Sequence, residues 1–117
     1  MSKNGNEAPE ASFVRETYDT LLKTLPSTYT HYRWQESAIS RFHFRQSERT
    51  LRAALRSAPS QVARALEVGG GDGVWTPYVA PRARALDFLD ISSEMLTQAH
   101  QALASYTHIS YIHADFL

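Results

Sequence analysis

The chain has 117 residues, 43% of them hydrophobic and 21% charged, with 12 basic residues balanced by 12 acidic ones. That profile suits one small globular domain and lacks the basic excess of a nucleic-acid binder. The absence of cysteine excludes a disulfide framework, a thiolate metal site and a cysteine nucleophile, and no apolar run approaches the roughly 20 residues a membrane span needs.

Residues 1–11 are polar and contain glycine and proline, so a disordered tail is expected. The stretch MSKNGNEAPEAS lacks the apolar core of a signal peptide, which makes a cytoplasmic location the default. Val14, Tyr18, Leu21, Leu22 and Leu25 share one helical face, with Ser12 able to cap the start and Pro26 to stop the helix. The stretch PSTYTHYRWQES reads as a loop, but Tyr29, Tyr32 and Trp34 make it too aromatic for a plain linker. A second helix is predicted over residues 38–57, with Ala38, Ile39, Phe42, Leu51, Ala54 and Leu55 apolar. Arg41, Arg45, Arg49, Arg52 and Arg56 form a basic stripe along it. The stripe reads as a solvated face with local ion pairs, Glu48 being available for one, or as a surface for a phosphorylated or carboxylated substrate or for RNA. Residues 12–60 thus make a helical, lid-like segment.

From residue 61 the pattern changes. VARALEV predicts a strand and runs into the glycine-rich GGGDG. VWTPYVAPR predicts a short helix, with Pro77 tolerable in its first turn and Pro81 ending it. ARALDFLD predicts a second strand and HISYIHAD a third. Between them Met95, Leu96, Ala99, Ala102, Leu103 and Tyr106 fall at helical spacing, and Ser92 or Ser93 can cap that helix. Alternating strands and helices predict an α/β fold: a Rossmann-like parallel sheet of about three strands over residues 61–117. Ligands of such sheets bind beyond the carboxyl ends of the strands, where the glycines lie.

The glycines fit neither the dinucleotide fingerprint nor the phosphate loop of nucleotidases. The third position of G-x-G-x-x-G falls on Val74 or Thr76, and no G-K-[ST] follows. The pattern present is Glu67-x-Gly69-x-Gly71-x-Gly73, with Asp90 19 residues past Gly71 at the end of the next strand. A carboxylate there can take both hydroxyls of a ribose. Asp87 is the rival acid, and strand alternation favours Asp90. An unliganded turn and a helix-capping acid are the plainer readings of the two features.

LEVGGGDG, ALDFLDISSEML and YIHADFL together resemble the opening motifs of class I S-adenosylmethionine-dependent methyltransferases, over residues 62–117. The resemblance implies S-adenosyl-L-methionine as cofactor. Glu67 and the backbone of Gly69, Gly71 and Gly73 would hold its amino-acid end, and Asp90 its ribose. Ile91 and Met95 would lie against the adenine. Asp115 would accept from the adenine amino group, with the Phe116 backbone N–H beside it. For Met95, core packing is the competing role. In the family an N-terminal helical segment often covers the cofactor. Tyr18, Tyr29, Tyr32, Trp34 and Arg41 are accordingly the candidate substrate residues.

No catalytic residue is assigned. His31 and His43 could serve as a base, but the five histidines lack metal-ligand spacing, so no metal is expected. The acceptor expected from an aromatic lid and zero net charge is a small molecule, with no membrane partner and nucleic acid disfavoured. Family members continue to a seven-stranded sheet, so a three-stranded chain reads as the cofactor-binding N-terminal part of a longer enzyme, with weak or no activity alone. Its bare first-strand edge would invite self-association or a complementing chain. The alternatives are a non-catalytic module that binds cofactor weakly or mediates protein association, and a nucleotide-binding oxidoreductase fragment.

Overall fold

The computed structural model describes residues 8–25 and 27–116; Pro26 and residues 1–7, and with them the proposed helix stop and most of the expected tail, lie outside the described residues. Four α-helices and three strands are present among them: α1 (Pro9–Thr24), α2 (Ala38–Ser57), β1 (Val62–Val68), α3 (Thr76–Val79), β2 (Ala83–Asp90), α4 (Ser93–Ala102) and β3 (Ile109–His113). A π-helical turn (His31–Gln35) precedes α2, and a 3-10 turn (Ala80–Arg82) follows α3.

Helix α1 begins earlier than its sequence signals suggest. It starts at Pro9, not at Ser12, whose hydroxyl instead donates to Glu16 at 3.2 Å within the helix. Proline suits the first helical position because its fixed φ is already helical and its missing N–H would have no partner there. Glu10 adds a favourable charge in the first turn. The stretch expected as a loop also orders into a turn. Thr28 caps it, its hydroxyl accepting from the His31 N–H at 3.2 Å and its carbonyl from the Tyr32 N–H at 3.0 Å. Ser37 then caps α2 by accepting from the Ser40 N–H at 3.1 Å.

The inward face of α2 differs from the apolar positions expected. Phe44, Leu51 and Leu55 turn inward, whereas Ile39 is 69% and Phe42 50% exposed. The choice is made by an aromatic cluster. Trp34 lies edge-on to both Phe44 (5.8 Å) and Trp75 (5.4 Å), and Phe44 stacks on Trp75 at 4.9 Å. Aromatic pairs at these separations add stabilisation beyond the area they bury. They rotate Phe44 inward and carry Phe42 out.

The sheet is parallel throughout, in the order β1-β2-β3. β1 and β2 pair from Val62↔Ala83 to Val68↔Leu89, and β2 and β3 from Leu86↔Ile109 to Asp90↔His113. This register places Ala65, Leu86, Phe88, Ile109 and Tyr111 on one face, where they pack with Ala80, Ala99 and Leu103 into the core. Met95, Ala99 and Leu103 supply the buried face of α4, and Ser92 caps it by accepting from the Met95 N–H at 3.2 Å. The opposite face carries the row Val68, Leu89, Ile112 and stands open, with Leu66 63% and Val68 45% exposed. β1 is an edge strand, as expected.

Candidate cofactor site

β1 and β2 end side by side, so the loop that follows β1 meets the last residue of β2. The Gly69 N–H donates to the Leu89 carbonyl at 2.8 Å, extending the ladder into the loop. The Gly71 N–H donates to Asp90 Oδ2 at 2.9 Å, and the Ser92 N–H to Asp90 Oδ1 at 2.9 Å. Asp90 therefore ties the glycine loop to the cap of α4 while it stays buried. A carboxylate has about four lone-pair sites, so two remain for a ligand. Asp87, the rival acid, is committed elsewhere: it pairs with Arg64 at 2.6 Å on the opposite face of the sheet.

The glycines divide into two functions. Gly69 (φ +65°) and Gly71 (φ +62°) adopt the left-handed region, and a Cβ on either would stand in open space. Gly70 needs no positive φ, but a Cβ there would lie 2.3 Å from the Phe88 ring. Gly73 (φ +83°) faces the core as well, with a Cβ 2.7 Å from Leu103. Two glycines thus leave room on the ligand side, and two let the loop settle on the core.

The open side is a cavity of about 140 Å³ lined by Val14, Tyr18, Tyr29, Gly69, Gly71, Asp90, Ile91 and Phe116. Helix α1 closes it from above. The Ser92 hydroxyl donates to Asp19 Oδ1 at 2.5 Å, fastening α1 to the α4 cap beside Asp90. The Thr30 hydroxyl donates to the Asp72 carboxylate, fastening the π turn to the glycine loop. Between these ties the rings of Tyr18 and Tyr29 meet edge-on at 6.4 Å. Burial chiefly, with the neighbouring Tyr18 and the Asp72 and Asp90 carboxylates, pushes the Tyr29 phenol up to about 12, against a smaller lowering by Arg33. Tyr29 is therefore a neutral hydrogen-bonding group at physiological pH.

Seven sequence-derived candidates meet at this cavity: Gly69, Gly71, Asp90, Ile91 and Phe116 from the expected cofactor set, and Tyr18 and Tyr29 from the substrate set. Others stand apart. Glu67 accepts from the Thr76 hydroxyl at 2.8 Å, and burial, partly offset by that bond, raises its carboxyl above the usual range. Met95 is buried in the α4 core face, and Gly73 packs on Leu103. Asp115 follows β3 at the same end of the sheet. Trp34 belongs to the aromatic cluster, Tyr32 is exposed, and the Arg41 guanidinium donates to the Gln35 carbonyl at 3.0 Å. His31 and His43 are both exposed. Among the described residues no group of His, Cys, Asp and Glu could hold a metal ion. Asp19, Thr30 and Asp72 were not singled out in the sequence, because the pairs they join are 73 and 42 residues apart.

No family model and no curated protein matches the chain. Solved structures do. The N-methyltransferase NodS from Bradyrhizobium japonicum WM9, in complex with S-adenosyl-L-homocysteine, is 25% identical, with a TM-score of 0.60 over 85% of this chain and 47% of its own. The magnesium protoporphyrin IX methyltransferase ChlM from Synechocystis PCC 6803, with bound S-adenosylhomocysteine, aligns over 91% of this chain and 52% of its own at 14% identity and a TM-score of 0.60. Phosphoethanolamine N-methyltransferase 1 from Haemonchus contortus aligns over 98% of this chain and 24% of its own at 21% identity and a TM-score of 0.62. The chain has the fold of the class I S-adenosylmethionine-dependent methyltransferases. It spans about half, or less, of each of these three proteins.

Proposed function

We propose that this chain is the cofactor-binding part of an S-adenosylmethionine-dependent methyltransferase whose acceptor is a small molecule. The observation that carries the reading is the meeting of Gly69, Gly71 and Asp90 at one cavity, at the carboxyl ends of β1 and β2. The two glycines leave the cradle a Cβ would fill, and Asp90 keeps lone pairs for the ribose hydroxyls. The bound cofactor would supply the electrophilic methyl group. The chain's own residues bind, orient and exclude water. By resemblance the backbone of the glycine loop would hold the amino-acid end, and Ile91, which lines the cavity, offers the adenine an apolar wall.

Tyr18 and Tyr29 cover the same cavity, which supports an acceptor small enough to sit under α1. The cavity is below the roughly 300 Å³ at which ligand pockets begin, so entry requires α1 to lift. Glu67, Met95 and Asp115 remain proposed cofactor residues by resemblance, with Glu67 reaching the site by exchanging its bond to Thr76. A second reading rests on the open sheet face: Leu66, Val68 and Ile112 are exposed, which supports a module that associates through β1 with itself or with a complementing chain.

The test is calorimetric titration of the chain with S-adenosylhomocysteine, beside Asp90→Ala and Asp90→Asn. Saturable binding is expected. Loss of two hydrogen bonds to a charged group weakens it by roughly 100-fold or more in Asp90→Ala. A folded chain that binds no S-adenosylhomocysteine overturns the reading.

A further inference from the structure

The positive charge of the chain is unevenly placed. Helix α2 carries five arginines and a single acid, Glu48, although the whole chain has zero net charge. Glu48 is already engaged, accepting from the Tyr78 hydroxyl and lying 3.7 Å from Arg52. At the carboxyl end of α2 a cleft of about 590 Å³ opens between that helix, α3 and the turn that follows it. Its lining is Arg52, Leu55, Arg56, Pro77, Tyr78 and Arg82, with no carboxylate. The Arg82 guanidinium is fixed at the cleft by donating to the Leu55 carbonyl at 2.6 Å. Arg52 is held over the Tyr78 ring at 5.0 Å. Among the described residues Arg56 has no acidic partner.

We infer that this cleft is a second ligand site, for the phosphate groups of a small phosphorylated molecule. Three guanidiniums converge where one engaged carboxylate stands nearby, and their mutual repulsion is relieved by an anion of two or more charges. Guanidinium forks match phosphate oxygens in geometry as well as charge. Leu55 and Pro77 provide an apolar ledge for the rest of the molecule. A solvated face with local ion pairs accounts for Arg52, but not for Arg56 and Arg82, which line the same cleft. The cleft is distinct from the cofactor cavity. Arg82 directly precedes β2 and Asp90 ends it, so eight steps of roughly 3.3 Å put the two residues about 26 Å apart along the strand.

The experiment is titration of the chain with inorganic pyrophosphate at low ionic strength, followed by calorimetry and by NMR shifts of the arginine side chains, with chloride at matched ionic strength as reference. Arg56→Gln and Arg82→Gln are run beside it. Arg56 is exposed and makes no hydrogen bond or ion pair among the described residues, so its variant stays informative even if loss of the Leu55 bond unsettles Arg82→Gln. One-to-one binding, weakened about tenfold or more in Arg56→Gln, is the result expected. Pyrophosphate no better than chloride, or binding indifferent to Arg56→Gln, overturns the inference. A single-stranded oligoribonucleotide that binds where pyrophosphate does not also overturns it, and assigns the arginines to a nucleic-acid backbone.

Discussion

Replacing Gly70 and Gly71 singly by alanine separates the two functions of the glycine loop. At Gly70 the backbone is ordinary, and the cost is steric. The new Cβ would lie 2.3 Å from Phe88 Cε2 and 2.4 Å from Cζ. That ring is fully buried, with the Tyr111 ring 5.5 Å away, so it has little room to retreat. Overpacking of this kind costs about 1–3 kcal/mol, and the closed surroundings put Gly70→Ala near 3 kcal/mol. For a chain of 117 residues that lowers Tm by roughly 12 °C. At Gly71 the Cβ meets nothing, but φ is +62°. The left-handed conformation costs an alanine about 1–2 kcal/mol, or roughly 4–8 °C. The new methyl also enters the proposed cofactor space. Thermal melts and S-adenosylhomocysteine titration of both variants provide the assay. Gly70→Ala should lose the more stability, and Gly71→Ala should lose the more affinity at temperatures where both are folded. Full affinity in Gly71→Ala, or a wild-type Tm in Gly70→Ala, would refute the division.

Asp19→Ala removes the tie from α1 to Ser92, a bond to a charged group worth about 1.5–3 kcal/mol; hydrogen exchange should show α1 amides losing protection while those of β2 keep theirs. Burial holds the Glu67 carboxyl above its ordinary range, so the unfolded chain ionises first as pH rises, and the group's contribution to stability falls with rising pH just above the usual carboxylate value. Glu67→Gln, which can still accept from Thr76, should flatten that part of the stability–pH curve, and an unchanged slope would contradict the assignment. Tyr29 carries the same sign at alkaline pH: stability should fall between its ordinary value of 10.0 and about 12, and Tyr29→Phe should abolish that fall in denaturant melts. Leu66→Lys on the open face should lower any self-association seen by sedimentation without lowering Tm, because Leu66 is 63% exposed.

The sequence by itself determined the local elements. Val62–Val68, Ala83–Asp90 and Ala38–Ser57 form where their patterns place them, because short apolar-rich stretches bounded by glycine or proline, helical spacing and caps act over a few residues. It also separated Asp90 from Asp87, since alternation along a strand puts the two acids on opposite faces. What it did not carry is the direction in which side chains turn once elements meet. All the loop glycines look alike in sequence; only Phe88 and Leu103 distinguish Gly70 and Gly73 from the two that face the cavity. Phe42 and Phe44 are equally apolar, and Trp34 with Trp75 selects Phe44. Tyr29 reaches the site while Trp34, five residues on, joins the aromatic cluster with Phe44 and Trp75. The ties Asp19–Ser92 and Thr30–Asp72 join residues far apart in the chain. Such contacts depend on packing between elements, which no short window of sequence encodes, and they decide what covers the glycine loop.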